Sequence, residues 1–271
     1  MAYHIGLPHY ANTSPLVQFL TAPPGIELRF GVPTELNGWL LEGTVDLSLV
    51  SSYFYLEARG SLRALPDFSV SVLGAVYSVN LFHKKPWKDL RRIALTSESA
   101  TSVRLLKYLL DRDGIPAKLE PGGAGLEVLD TYDGVLLIGD RALATYAGLL
   151  ENEPASVLDL PSRSGDLFVS DLAMRWFHQT HLPFVFAVWA TRAGEQPPPE
   201  VVALLRNARR EGLGRLAQVA ASESARLGIS AALLQHYLWN FRYHLEAPDR
   251  LGLAAFARAT MLPEPDGYWS V

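Results

Sequence analysis

Apolar positions along this chain switch between two periods. Ile26, Leu28 and Phe30 alternate with other residues, the pattern of a short strand. Pro33-Thr34 then opens a helix, with Thr34 as N-cap and Gly43 as its stop. Val45 to Val50 is an apolar, β-branched strand that ends in Ser51-Ser52, where the next helical run begins, and Val70 to Phe82 reads as a strand pair or one long strand. A second unit starts near Lys84-Lys85-Pro86-Trp87. It holds a strand at Ile93-Ala94-Leu95-Thr96 and a helix over Ser102 to Leu110, with Val103, Leu106, Leu109 and Leu110 on one face and Gly114 at its end. Gly134 to Asp140 is a buried strand followed by helical Arg141 to Leu150; Gly165 to His181 reads as a helix, and Pro183 to Ala190 as a strand leading back. After a loop with three consecutive prolines the pattern is helical from Glu200, with further helices over Ile229 to Leu245 and Arg250 to Thr260.

Strands that alternate with helices imply an α/β fold with parallel pairing. The order predicts two lobes with a ligand cleft between them. Residues 1–86 and 187–271 form a discontinuous lobe one that includes the helical C-terminal segment; residues 87–186 form lobe two, with crossings near 84–90 and 181–187. Ligands of open α/β sheets bind outside the carboxyl ends of the strands. Those ends are Ser51-Ser52, Thr96 to Ser102 and Gly139-Asp140.

The length of 271 residues fits this plan, and 49% hydrophobic with 19% charged residues excludes a disordered chain. The absence of cysteine excludes a disulfide scaffold, a thiolate zinc site, an iron–sulfur cluster and a cysteine nucleophile. A net charge of −4 and no basic helix-turn-helix segment argue against a nucleic-acid partner. No apolar run reaches the ~18 residues of a membrane span, and Met1 to Pro8 has neither the basic nor the apolar region of a secretory signal. The expected setting is the cytoplasm, away from membranes.

The strongest chemical signal is Leu95-Thr96-Ser97-Glu98-Ser99-Ala100-Thr101-Ser102, a strand-to-helix junction rich in hydroxyls. Free backbone N–H groups and a partial positive charge at a helix start favour an anion. A cap alone needs one hydroxyl; this junction offers several. Asn12-Thr13-Ser14-Pro15 is a second junction, in which Ser14 as N-cap and Pro15 as first helical residue explain two positions and leave Asn12 to point an amide into the cleft. Ser51-Ser52 is a third. Ser78 and Asn80 are polar positions in an apolar strand, which either the cleft or a solvent-facing edge explains.

His178 and His181 share a helix face but have no third ligand at a known spacing, so no metal is expected. His4 and His9, near the first strand, are candidate bases or simply structural. Phosphate-binding, nucleophile-elbow and zinc-protease motifs are absent. Gly122-Gly123-Ala124-Gly125 reads as a surface turn, and the basic run Lys84, Lys85, Lys88, Arg91, Arg92 as a solvated face or a steering patch for an anion. The residues alone give a neutral, hydroxyl-rich cleft for an anionic small molecule, and leave binding and catalysis undecided.

Tyr10-Ala11-Asn12-Thr13-Ser14-Pro15-Leu16 and Gly43-Thr44-Val45-Asp46-Leu47-Ser48-Leu49-Val50-Ser51-Ser52 resemble the chorismate dehydratases of the futalosine route to menaquinone. Thr101-Ser102-Val103, Ile138 to Leu143, Asp171-Leu172 with Trp176, and Leu182 to Ala190 continue the resemblance in order, over about residues 3 to 192. It implies a type II periplasmic-binding-protein-like fold and a carbon–oxygen lyase (hydro-lyase) that turns the dianion chorismate into 3-[(1-carboxyvinyl)oxy]benzoate and water. It implies no cofactor, a small-molecule partner and, as candidate assembly, a homodimer. Where the family pattern has Arg before the Thr-Ser pair, this chain has Ala100.

On this resemblance Asn12 is the catalytic candidate, orienting the ether or the leaving hydroxyl. The substrate-binding candidates are Ser51, Ser52, Ser78, Ser97, Thr101, Ser102, Gly139 and Asp140. Thr101-Ser102 would hold a carboxylate. Asp140 is read as bonding backbone across the cleft rather than as the base, and the substrate's own enolpyruvyl carboxylate is the alternative proton acceptor. Two rival readings are a 1,4-dihydroxy-6-naphthoate synthase-like lyase, whose Ser-Pro-Cys-Pro-Asn-type start this chain lacks, and a non-catalytic cytosolic small-anion binding protein.

Overall fold

A computed structural model describes residues 2–96, 99–150, 163–164 and 166–265 of the protein. The chain first lays down β1 (Tyr3–Leu7), a 3-10 turn (Ala11–Thr13) running into the short α1 (Ser14–Val17), β2 (Ile26–Phe30), α2 (Pro33–Glu42), β3 (Leu47–Ser51), α3 (Ser52–Glu57) and the long β4 (Leu62–Val72). It then crosses to a second sheet through β5 (Val79–His83), β6 (Arg92–Leu95), α4 (Ala100–Arg112), β7 (Lys118–Pro121), β8 (Gly134–Ile138), α5 (Gly139–Leu150), β9 (Arg163–Ser164), β10 (Leu167–Asp171) and α6 (Leu172–Thr180). The return strand β11 (Phe184–Arg192) leads to α7 (Pro199–Gly214), α8 (Leu216–Leu227), α9 (Ala231–Trp239), β12 (Phe241–Arg242) and α10 (Ala247–Ala259).

The first sheet runs β12-β4-β11-β3-β1-β2 and the second β7-β6-β8-β5-β10-β9. In each, three strands pair in parallel (β2, β1, β3 and β7, β6, β8) and antiparallel strands complete the sheet. The parallel strands feed helices at their carboxyl ends: α3 follows β3, α4 follows β6 and α5 follows β8, and α3 packs against α4. β8 is buried along its whole length, which is why it reads as an unbroken apolar run. Trp176, Trp189 and Tyr146 are almost fully buried, and removing side chains of this size from water contributes roughly 1.5–3 kcal/mol each.

Several expected elements move. β5 pairs with β8 and β10 and so belongs to the second sheet. The crossings fall within 73–78 and 181–183, and the boundary expected at residue 86 lies one strand too late. Residues 165–181 are not one helix: Leu167–Asp171 is a strand, and Asp171 caps α6 by accepting the Met174 amide at 2.9 Å. The helix expected to end at Leu245 stops at Trp239, because Phe241 and Arg242 pair with Val72 and Ser71 at the edge of β4. Thr34 is not the cap of α2. Pro33 already occupies its first turn, and Glu35 accepts the Val32 amide at 3.0 Å; Gly43 does end this helix, at φ 79°. Ser14 is the first residue of α1 rather than its cap. Among the described residues no helix is long and apolar enough to cross a membrane.

Candidate functional site

Between the two sheets lies an open cavity, with about 680 Å³ of empty space including the solvent at its mouth. Its apolar wall includes Leu49, Val70, Val76, Val79, Ile138 and Phe186; its polar positions include Asn12, Ser51, Ser78, Ser99, Thr101, Ser102 and the backbone at Gly139. Among the described lining residues there is no carboxylate, imidazole or cationic side chain. The surface suits a flat, largely apolar ring with oxygen substituents.

The hydrogen bonds around this cavity give its hydroxyls a direction. Thr101 Oγ1 accepts the Tyr53 amide at 3.0 Å, a bond that ties the start of α4 to α3. Ser99 caps α4: its Oγ accepts the Ser102 amide at 3.2 Å and donates to Ser102 Oγ at 3.1 Å. Ser78 Oγ accepts the Tyr237 hydroxyl at 3.0 Å, while the Ser78 carbonyl accepts the Gly139 amide at 2.8 Å. Thr101, Ser102 and Ser78 therefore each have an acceptor position filled by the protein, which leaves their own protons to donate, that of Ser78 within 3.3 Å of the Val76 carbonyl. Asn12 contributes the opposite polarity: its side-chain oxygen is buried without a partner among the described residues. A buried amide oxygen left without a donor is costly unless a guest or water supplies one.

Of the residues singled out in the sequence, Asn12, Ser51, Ser78, Thr101, Ser102 and Gly139 meet on this cavity. Ser52 does not line it; its hydroxyl donates to the Val185 carbonyl at 2.6 Å and joins α3 to β11. Asp140 does not line it either. Its Oδ1 accepts the Ala11 amide at 2.9 Å and its Oδ2 pairs with Arg226 at 2.7 Å. Arg226 also holds Glu223, which accepts the Ser14 hydroxyl at 2.7 Å. The Asp140–Arg226–Glu223 chain thus fixes both ends of the 11–14 segment that carries Asn12. Ser97 lies outside the described residues.

His4 sits between Glu27 and Asp46, and neither His4 nor His9 lines this cavity. Ser78 and Asn80 are buried on or beside an interior strand, so the solvent-edge explanation falls away. Lys84 and Lys85 pair with Asp130 and Asp133, and Arg92 with Glu120, remote from the lining.

Three supporting residues carried little signal in the sequence. Tyr237 and Tyr243 look like core aromatics there; Tyr243 donates to the Asn12 carbonyl at 2.9 Å. The third is Asp171. Its buried carboxylate accepts the Val76 and Tyr77 amides at 2.8 and 2.7 Å, pinning the crossover that delivers Val76 and Ser78 to the cavity and that holds Tyr77 at φ 58°. The signal available was an Asp directly ahead of a helical apolar run. Burial pushes the Asp171 carboxyl up to about 6, against the pull of its amide donors. A carboxyl raised above its unfolded value of 3.8 contributes stability in acid that is lost as pH rises through about 6. Asp171→Asn loses an acceptor and is less stable than the parent, by a margin that shrinks by up to about 3 kcal/mol between pH 4 and 7. Urea unfolding of both proteins across that range measures the margin; a margin that widens with pH contradicts this account.

Comparison with known proteins adds to this geometry. A model of the menaquinone biosynthesis family matches residues 3–261. The chain belongs to that family. A curated relative from Thermus thermophilus, named chorismate dehydratase, is 60% identical over 261 residues, covering 96% of each chain. Among solved structures, a protein from Archaeoglobus fulgidus superposes with a TM-score of 0.71 at 15% identity, covering 95% of this chain and 96% of its own. The periplasmic aliphatic sulphonate-binding protein of Escherichia coli gives a TM-score of 0.62 at 13% identity, covering 100% and 91%. At these identities the two structures speak for the fold alone, which is periplasmic-binding-protein-like.

Proposed function

We propose that this protein is a chorismate dehydratase, a hydro-lyase that converts chorismate to 3-[(1-carboxyvinyl)oxy]benzoate and water in menaquinone biosynthesis. The observation that carries this reading is the 60% identity, over nearly the whole of both chains, with a relative of that name. The cavity supports it, since its apolar wall suits the ring and its donors suit the oxygens of a dianion. The enzyme works in the cytoplasm in this reading.

Chorismate bears a hydrogen on the ring carbon that carries the enolpyruvyl ether, and a hydroxyl on the next carbon. Removing the hydrogen as a proton leaves an electron pair conjugated through a ring double bond to the ring carboxylate. That pair then forms the new ring double bond as the carbon–oxygen bond to the hydroxyl breaks; the hydroxyl leaves with a proton as water, and the ring becomes aromatic. Aromatisation drives the overall change, so the protein has to orient the substrate and stabilise charge as it develops. Thr101, Ser102 and the start of α4 hold the ring carboxylate, where their donors also stabilise the delocalised anion. Asn12 orients the leaving hydroxyl. The substrate's enolpyruvyl carboxylate takes the ring proton and passes it to the departing hydroxyl, in keeping with a described lining that offers no carboxylate or imidazole. Asp140 is engaged with Ala11 and Arg226 and serves the architecture.

Incubating the purified protein with chorismate and following products by mass spectrometry tests the assignment. The expected result is a new species lighter by one water. Binding without conversion favours a non-catalytic anion-binding protein. Indifference to chorismate, with turnover of a cyclic futalosine derivative, favours the sister lyase.

A further inference from the structure

Thr101, Ser102 and Ser78 each accept a hydrogen bond from the protein, and the donor to Ser78 comes from the C-terminal helices rather than from either sheet. Tyr237 lies on α9 and is 1% exposed. Its hydroxyl donates to Ser78 Oγ at 3.0 Å, and among the described residues its oxygen bonds no other group. Burial pushes the phenol well above its ordinary value, so it keeps its proton. If Ser78 donated to Tyr237 instead, the phenol proton would be buried with nothing to accept it, an arrangement folded proteins avoid. Tyr237 therefore fixes which way the pair is polarised. The serine proton is left with two destinations: the Val76 carbonyl, at a long 3.3 Å, or the cavity that Ser78 lines.

The backbone that carries the serine is anchored. Its carbonyl is held by the Gly139 amide. The preceding residue, Tyr77, has its amide on Asp171 and its hydroxyl 2.9 Å from His236, the neighbour of Tyr237 on α9. Two successive residues of one helix thus hold two successive residues of the crossover between the sheets.

We infer that Tyr237 is a positioning residue for Ser78: by occupying the serine's acceptor position it turns the serine proton into the cavity, toward an oxygen of the substrate. The inference rests on the dehydratase reading for the identity of that substrate, and on the hydrogen-bond geometry alone for the role. It also gives the C-terminal helices a part in the site, although none of their residues lines the cavity.

A double-mutant cycle tests it. Tyr237→Phe keeps the ring and removes only the donor; Ser78→Ala removes the hydroxyl it polarises. With chorismate, Tyr237→Phe is expected to lower kcat/KM about tenfold and Ser78→Ala about thirtyfold. The double variant is expected to match Ser78→Ala alone, because the phenol has no role once the serine hydroxyl is gone. A phenol that only supports the fold would act independently of Ser78, and the two losses would multiply to about three hundredfold. Multiplying losses, or a Tyr237→Phe protein with the parent's kcat/KM, overturn the inference. Should Tyr237→Phe fail to fold, Ser78→Ala still decides: parental kcat/KM in that variant removes the hydroxyl from the site and the inference with it. A parent protein that leaves chorismate unchanged counts against the dehydratase reading; the same cycle is then read from calorimetric affinities for chorismate, with the same expected non-additivity.

Discussion

Asn12→Ala lowers kcat for chorismate dehydration by about 10²–10³-fold, the usual cost of removing one preorganised polar group from a site where charge develops. The fold survives, because no described residue bonds the buried oxygen of this side chain. The segment is held instead by Tyr243 on the Asn12 carbonyl and by Asp140 on the Ala11 amide. Steady-state kinetics and an unfolding midpoint, measured on the same preparation, separate the two properties. A fully active Asn12→Ala protein removes Asn12 from the mechanism, and a variant inactive because it is unfolded contradicts the claim that the side chain serves only the guest.

Gly212→Ala is the most destabilising single methyl group this structure predicts. α7 packs on α1 so closely that a Cβ at Gly212 would sit 1.8 Å from the Pro15 carbonyl oxygen. That atom is backbone, so the two helices must separate. Overpacking of this kind costs about 3 kcal/mol or more, a fall in Tm of roughly 6 °C or more for a chain of this size. The displaced segment carries Asn12 three residues upstream of Pro15, and misplacement by about 1 Å is enough to cost turnover about 10²-fold. Gly214→Ala, two residues on with open space around its Cβ, is the control and is expected to be neutral. Calorimetric melting with kinetics on both variants measures this; equal stability of the two contradicts the close approach.

The parts of this molecule legible in its sequence are those whose causes are local. β3, β6 and β8 stand in the parallel part of their mixed sheets, with mostly buried side chains, so they appear as short apolar runs between helical stretches. The hydroxyls from Ser99 to Ser102 stand out because a cap needs only one of them. The illegible parts depend on contacts made at long range. Tyr237 and Ser78 are 159 residues apart, and Tyr243 and Asn12 are 231 apart; nothing in the local pattern distinguishes these tyrosines from ordinary core aromatics. Arg226 has no local signal, since its partners Asp140 and Glu223 meet it only in the fold. The crossover after β4 falls ahead of the boundary expected at residue 86: Tyr77 adopts a left-handed conformation there without being glycine, held by Asp171, 94 residues away in sequence.

A crystal structure of the Asn12→Ala protein with chorismate bound tests the site assignment most directly. The ring is expected against Phe186 between the sheets, one carboxylate within hydrogen-bond distance of the Thr101 and Ser102 hydroxyls at the start of α4, and an oxygen of the ligand near Ser78. Chorismate found outside this cavity, or seated in it with both carboxylates turned away from α4, would contradict that assignment.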